Sequence, residues 1–296
     1  MNATRAPRNV AASIRQRLLD LTHAAEGNFQ GCLDRYAVER LLYRLSLTEA
    51  REKFLLKGAL LFTAWFETPH RPTRDADFLG LEEHDAAALA DMVRRLCAIT
   101  AEDGLIYDAN TVRVVVIREQ ASYGGLRVTL RALLDGARCN VQLDVGYGDA
   151  VTPAPVEIEY PTLLTDQPRP RLLVYPRETV FAEKLEAMQV LGMANTRMKD
   201  YFDLLMLARE GAMDIASLGD AIGATFRRRG TPLPEALPPG LSDRFAGDDG
   251  KRGQWANFLR RNQLQAPPLE DVIQELGRFV REPLDRARAA TGAGRN

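Results

Sequence analysis

The chain has 296 residues, 46% hydrophobic and 27% charged, enough for a substantial core in two packed lobes with a well-solvated surface. Its 39 basic and 40 acidic residues leave a net charge of −1, which argues against a general basic coat for nucleic acid but leaves room for a local basic groove. Cys32, Cys97 and Cys139 lie far apart, against a disulfide framework or a thiolate metal site, and no segment reads as a secretory leader or a bilayer span; a cytoplasmic protein with no membrane attachment is the expectation.

Taken in chain order, the first fifty residues read as helices, with Ile14, Leu18 and Leu21 on one stripe and Val38, Leu41, Leu42 and Leu45 on another. In KFLLKGALLFTAWF, Phe54 to Leu56 closes a strand and Gly58 opens a buried helix running through Trp65; TPHRPT, with Pro69 and Pro72, is a turn. DADFLGL is a strand starting near Asp75, followed by a helix from about Asp85 to Thr100. TVRVVVIRE, GLRVTLRALL and CNVQLDVGYG have strand character and read as neighbours in one sheet, and LLVY adds a short strand. From Glu178 the pattern is helical. ETVFAEKLEAMQVLG buries Val180, Phe181, Leu185 and Met188, and KDYFDLLMLAREG ends at Gly211. A Pro- and Gly-rich loop spans about 230–250, two helices around Trp255 and Val272 follow, and TGAGRN frays. The expected organisation is α/β (α+β): N-terminal helices over 1–52 packed on the core, a mixed-sheet lobe over 53–175 with flanking helices, and an α-helical lobe over 176–296.

Four features carry chemistry. Asp75 and Asp77 are two apart in a strand, so they project from the same face, and two like charges there call for a cation between them. Oxygen ligands on a rigid strand suit magnesium, and Gly58 permits close approach of a phosphate to backbone N–H groups. Asp144, near the end of a later strand, is either an acceptor for the proton of an attacking hydroxyl, a ligand of a second ion, or a turn aspartate before Gly146 and Gly148. Lys184 sits at the edge of an apolar stripe, where a lysine either snorkels to solvent or binds triphosphate oxygens. In Arg197-Met198-Lys199-Asp200-Tyr201-Phe202-Asp203, the two aspartates share a helix face; Lys199 and Asp203 suit an intrahelical ion pair, and the whole turn equally suits a buried network lining a cleft. Glu183 and Glu186 read as solvated or structural, and Arg227-Arg228-Arg229 as a solvated helix end open to RNA phosphates. His23, His70 and His84 lack metal-ligand spacing, and no Ser/His/Asp arrangement or P-loop is present.

FLLKGALLFTAWF, RPTRDADFLG, VQLDVGYGD, ETVFAEKLEAM and RMKDYFDLLML follow one another in an order that resembles the AbiEii/AbiGii toxin-family nucleotidyltransferases, a polymerase-β-superfamily group that includes the MenT toxins. The resemblance covers roughly 35–210 and implies a polymerase-β-like core followed by a helical lobe. It implies that Asp75, Asp77 and Asp144 form the metal site for Mg2+ or Mn2+, that Lys57, Gly58, Ala59, Lys184, Lys199 and Asp203 bind the NTP, and that Lys184 and Asp200 join the three acids in catalysis. Gly58-Ala59 departs from the Gly-Gly or Gly-Ser of many members, which removes one hydroxyl contact to phosphate. Further implications are transfer of nucleotides to the tRNA 3′ end and a cognate antitoxin protein as partner. A protein or small-molecule acceptor, or a non-catalytic nucleotide-binding role, are the alternatives.

Overall fold

A computed structural model describes residues 9–66, 73, 75–118 and 124–293. The expected turn at Pro69 and Pro72, His70 and the last three residues of TGAGRN lie outside these. Two compact units form, Met1–Gly148 with Glu157–Val174, and Asp149–Val156 with Tyr175–Asn296.

The first unit runs α1 (Val10–Ala24), α2 (Phe29–Ser46), β1 (Phe54–Lys57), α3 (Leu60–Trp65), β2 (Asp75–Gly80), α4 (Ala86–Cys97), β3 (Leu105–Arg118), β4 (Gly124–Leu134), β5 (Ala137–Tyr147), β6 (Val156–Glu159) and β7 (Arg171–Val174). Asn9, Asn28 and Asp85 start α1, α2 and α4 by accepting hydrogen bonds from free backbone N–H groups of the first turn. The strands make one mixed sheet, ordered β3-β4-β5-β2-β1-β7-β6. β2 pairs parallel with β5 and antiparallel with β1, while β3, β4 and β5 form an antiparallel meander. Alternation decides the two faces. Leu126, Val128, Leu130, Ala132 and Leu134 of β4, with Cys139, Val141, Leu143 and Val145 of β5, point into the core, where α2 packs on β5 and α4 on β3. Arg127, Thr129 and Arg131 point the other way, onto an open polar face.

The β4–β5 turn is only Asp135-Gly136, both with positive φ (47° and 75°), the conformation that a two-residue hairpin of this hand requires. It fixes the register of every pair up the hairpin, Arg127 opposite Asp144 included.

Helix α2 also turns charge inward. Fully buried Asp103 accepts from Arg44 at 2.5 and 3.1 Å, from Arg40 at 3.4 Å, and from the Leu105 N–H at 3.1 Å, which ties the helix to the start of β3. Neighbouring Glu39 accepts from the Leu163 N–H at 2.7 Å through Oε2, but its buried Oε1 has no hydrogen-bond partner. Burial pushes its carboxyl up to about 7, against the opposing pull of the Leu163 N–H and Arg40.

The second unit is helical: α5 (Arg177–Leu191), α6 (Met198–Glu210), α7 (Ile215–Arg229), α8 (Asp243–Ala246), α9 (Asp249–Asn262), α10 (Leu269–Phe279) and α11 (Arg281–Ala293). Its core gathers Phe181, Leu185, Leu204, Ile222, Phe226, Val272 and Leu284, with α7 packed against α5 and α11. Gly211, at φ 69°, ends α6 in the left-handed conformation expected of it.

Several sequence expectations are corrected. Leu21 is 43% exposed, so the α1 stripe stops at Leu18. Strand β3 begins at Leu105 rather than near Thr111, with an irregularity between Asp108 and Arg113 that interrupts the alternation. Strand β6 and helix α11 were not expected. Arg229 is not a solvated helix end. It donates to Glu186 at 3.0 Å and Asp149 at 3.1 Å and stands 3.4 Å from Glu183, while Glu186 also accepts from Thr231. Burial alone would lower the Arg229 pKa, yet the surrounding carboxylates raise it. The run of three arginines hid this because helical periodicity turns only one of them inward.

No described helix is long and apolar enough to cross a membrane.

Two outcomes follow from the buried charges. Because the folded protein holds the Glu39 proton more tightly than the unfolded chain, its stability should fall as pH rises from about 4.5 to 7, by about 1.4 kcal/mol for each pH unit crossed. Glu39→Gln should flatten that slope in urea titrations across this range; an unchanged slope would show that Glu39 ionises at its ordinary pH. Arg229→Met leaves three carboxylates without their cation and should cost about 3–5 kcal/mol, measured as a lower denaturation midpoint.

Candidate active site

The strand register assembles the site. Lys57 on β1 lies opposite Asp77 on β2, Asp77 beside Asp144 on β5, and Asp144 opposite Arg127 on β4. Residues paired in this way share one face of the sheet, so basic, acidic, acidic and basic side chains form a row across four strands. Two residues along, a second row runs Asp75, Gln142, Thr129, Arg113. Asp75 and Asp77 thus stand on the same face, as the i,i+2 spacing requires.

Asp144 is tightly held. Arg127 donates through Nε to Oδ1 at 2.8 Å and through Nη2 to Oδ2 at 2.7 Å, a bidentate pair. Gln142 Nε2 reaches the same oxygens at 3.4 and 3.5 Å. The Arg127 pKa is raised, first by its hydrogen bond to Asp144, then by the charges of Asp144, Asp75 and Asp77. Arg127 therefore belongs to the site, and sequence reasoning missed it. The signal was present: GLRVTLRALL alternates, and Asp135-Gly136 is a hairpin turn from which Arg127 and Asp144 are equally distant.

Gly58 follows β1 at φ 75°. A Cβ there would come within 2.1 Å of Asp77 Oδ2 and 2.8 Å of Asp77 Cγ. The missing side chain is the space that the Asp77 carboxylate occupies. The expected helix opening at Gly58 starts two residues later, at Leu60, and spans only six residues, with Ala59 as its N-cap. Gly58 thus acts through close approach to Asp77. On the open face, Asp75, Arg113, Thr129, Arg131, Asn140 and Gln142 line a cleft of about 540 Å³. A larger hollow of about 920 Å³, lined by Arg17, Arg40 and Tyr43 among others, shares no residue with either row.

Among the described residues, no group of three or more His, Cys, Asp or Glu is arranged to hold a metal ion. The Asp75 and Asp77 pair suits a hard divalent cation in its donor chemistry, two carboxylates fixed on one strand, and Gly58 leaves the room that the Asp77 carboxylate needs. Asp144 neighbours them in register, but Arg127 holds both its oxygens.

The second unit builds its own cluster. Lys184 on α5 donates to Asp200 Oδ1 at 2.6 Å and stands 2.8 Å from Asp203 Oδ2, both aspartates being on α6 and fully buried. Arg197 Nε lies 2.7 Å from Asp200 Oδ2, close enough to pair but out of hydrogen-bond alignment. Asp203 thus joins a buried network, one of the two readings left open by the sequence, and Lys199 is exposed. The structure thus gathers Lys57, Gly58, Ala59, Asp75, Asp77 and Asp144 in the first unit, and Lys184, Lys199, Asp200 and Asp203 in the second.

A search of curated proteins returns no match. Among solved structures, JHP933 from Helicobacter pylori is similar at 18% identity and a TM-score of 0.49, covering 87% of this chain and 93% of that one. An antigenic nucleotidyltransferase-like protein from Paracoccidioides brasiliensis is similar at 14% identity and a TM-score of 0.40, covering 82% of this chain and 92% of that one. The family model described as "Nucleotidyl transferase AbiEii toxin, Type IV TA system" matches residues 40–282, a span that contains both charge rows and the Lys184 cluster. The chain belongs to this family of nucleotidyltransferase toxins.

Proposed function

We propose that the protein is a divalent-metal-dependent nucleotidyltransferase that moves nucleotides from an NTP to the 3′ end of tRNA, as the toxin partner of a cognate antitoxin protein. The observation that carries the reading is the pair Asp75 and Asp77 on one sheet face, with Asp144 next in register and Gly58 giving the Asp77 carboxylate its place. Asp75 and Asp77 would hold Mg2+ or Mn2+. When bound, the ion neutralises charge on the triphosphate as the α-phosphate is attacked. Asp144 accepts the proton of the attacking hydroxyl, or joins the ligand set, once Arg127 releases it. Lys57, only 8% exposed, sits opposite Asp77 and offsets its charge, and the backbone at Gly58 and Ala59 lies beside the phosphates. For Lys184 the support is the motif itself, which assigns it to triphosphate oxygens. Asp200 and Asp203 act through it as positioning residues, because both are fully buried and both hold its ammonium. Lys199 is exposed on the first turn of α6, and its place in the NTP site rests on the motif.

The acceptor is the part that most needs a direct test. Incubation with α-labelled NTPs, Mg2+, total tRNA and a protein extract should place label on RNA, and Asp77→Asn should lower transfer by roughly 10²–10³-fold or more. Label on protein or on a small molecule would replace tRNA as acceptor, and no transfer by folded protein would overturn the catalytic reading. Gly58→Ala combines an unfavourable positive φ with a clash against Asp77 and should lower both the melting temperature and transfer. Wild-type stability and rate in that variant would show that the turn and the carboxylate can move apart at no cost.

A further inference from the structure

Asp144 stands in the centre of the charge row, yet both its oxygens are already engaged by one guanidinium. The Arg127 side chain is 39% exposed and that of Asp144 13%, so the arginine is the more solvent-facing partner. Its charge is also felt by Asp75 and Asp77, so one arginine serves three carboxylates from two strands. The strands need no such bond to align, because Arg127 and Asp144 are already partners in a continuous β4–β5 ladder fixed by the Asp135-Gly136 turn. With the arginine this exposed, the pair is screened by solvent on one side. It is strong enough to order a carboxylate and weak enough to yield to a doubly charged ion.

We propose that Arg127 competes with the divalent cation for Asp144. With no nucleotide present, Arg127 keeps the third carboxylate to itself and the ion is confined to Asp75 and Asp77; release of Asp144 completes the ligand set. Arg127 is thus a positioning residue acting through Asp144. The inference rests on the metal-dependent reading above.

The test is Mn2+ binding to the full chain without nucleotide, read from the electron paramagnetic resonance signal of free Mn2+. Arg127→Gln should bind about 2- to 5-fold tighter than wild type, the range that a solvent-screened ion pair supports. Arg127→Lys, which keeps the charge but loses the bidentate bonds, should show part of that gain. In an Asp144→Asn background, Arg127→Gln should bring little further change. Equal tightening there would mean that Arg127 acts only by through-space repulsion, and unchanged or weaker binding in Arg127→Gln would mean that it supports the ion; either result overturns the proposal. Failure of the underlying reading looks different: wild-type binding that is absent, or that survives Asp75→Asn/Asp77→Asn, removes the metal site itself. Thermal melts of each variant show that the folded protein is being compared.

Discussion

Adjacent carboxylates on one face of a sheet repel each other, and that repulsion has to be offset before the sheet can fold around them. Two unit charges about 5 Å apart at a protein surface cost roughly 3 kcal/mol. Asp75, Asp77 and Asp144 impose that cost in the middle of the sheet, where the core-facing side of the same strands is packed with Leu143, Val145 and Phe78 and cannot shift register to escape it. Compensation comes from the ends of the row. Lys57 stands on the β1 side of Asp77 and Arg127 on the β4 side of Asp144. A row that is basic at both ends and acidic in the middle offsets much of its own repulsion and still concentrates negative potential at its centre.

That arrangement depends on register more than on any one side chain. The Asp135-Gly136 turn sets β4 against β5, the parallel β2–β5 pairing brings Asp77 to Asp144, and the antiparallel β1–β2 pairing brings Lys57 and Gly58 to Asp77. Only the first of these links is local in sequence. β2 and β5 are separated by α4, β3 and β4, so the acids meet through long-range pairing. Gly58 is the point where the chain makes room for the outcome, since any side chain there would occupy the volume of the Asp77 carboxylate.

Local patterns in the sequence therefore carried some of the site and not the rest. The i,i+2 spacing of Asp75 and Asp77 placed both on one face, and the i,i+3 spacing of Asp200 and Asp203 placed both on one side of α6, because each rests on a single element's geometry. Arg127 is not legible locally because its importance comes from a partner 17 residues away, across a turn. Arg229 was misread for a related reason: three consecutive arginines look like a charged end, and only packing of α7 on α5 selects which of them meets Glu186. The start of β3 is hidden because apolar Ile106 faces solvent between buried Leu105 and Tyr107, and the strand β6 because its four residues are exposed or half-exposed.

The Lys184 cluster shows how a motif can be read for mechanism once its geometry is known. An ammonium has three donor hydrogens and no fixed plane, so a lysine at the edge of an apolar stripe is free to choose among many rotamers. Asp200 and Asp203, one helical turn apart on α6, pin the Lys184 nitrogen from two sides at 2.6 and 2.8 Å. Both acids are buried. Their spacing is what a clamp on one lysine requires, since residues three apart on a helix present two carboxylates to a single point on a neighbouring helix. The paired acids of this motif thus differ from the paired acids of β2: those on the helix are buried and already hold a cation, whereas those on the sheet are half-buried and Asp75 lines a cleft.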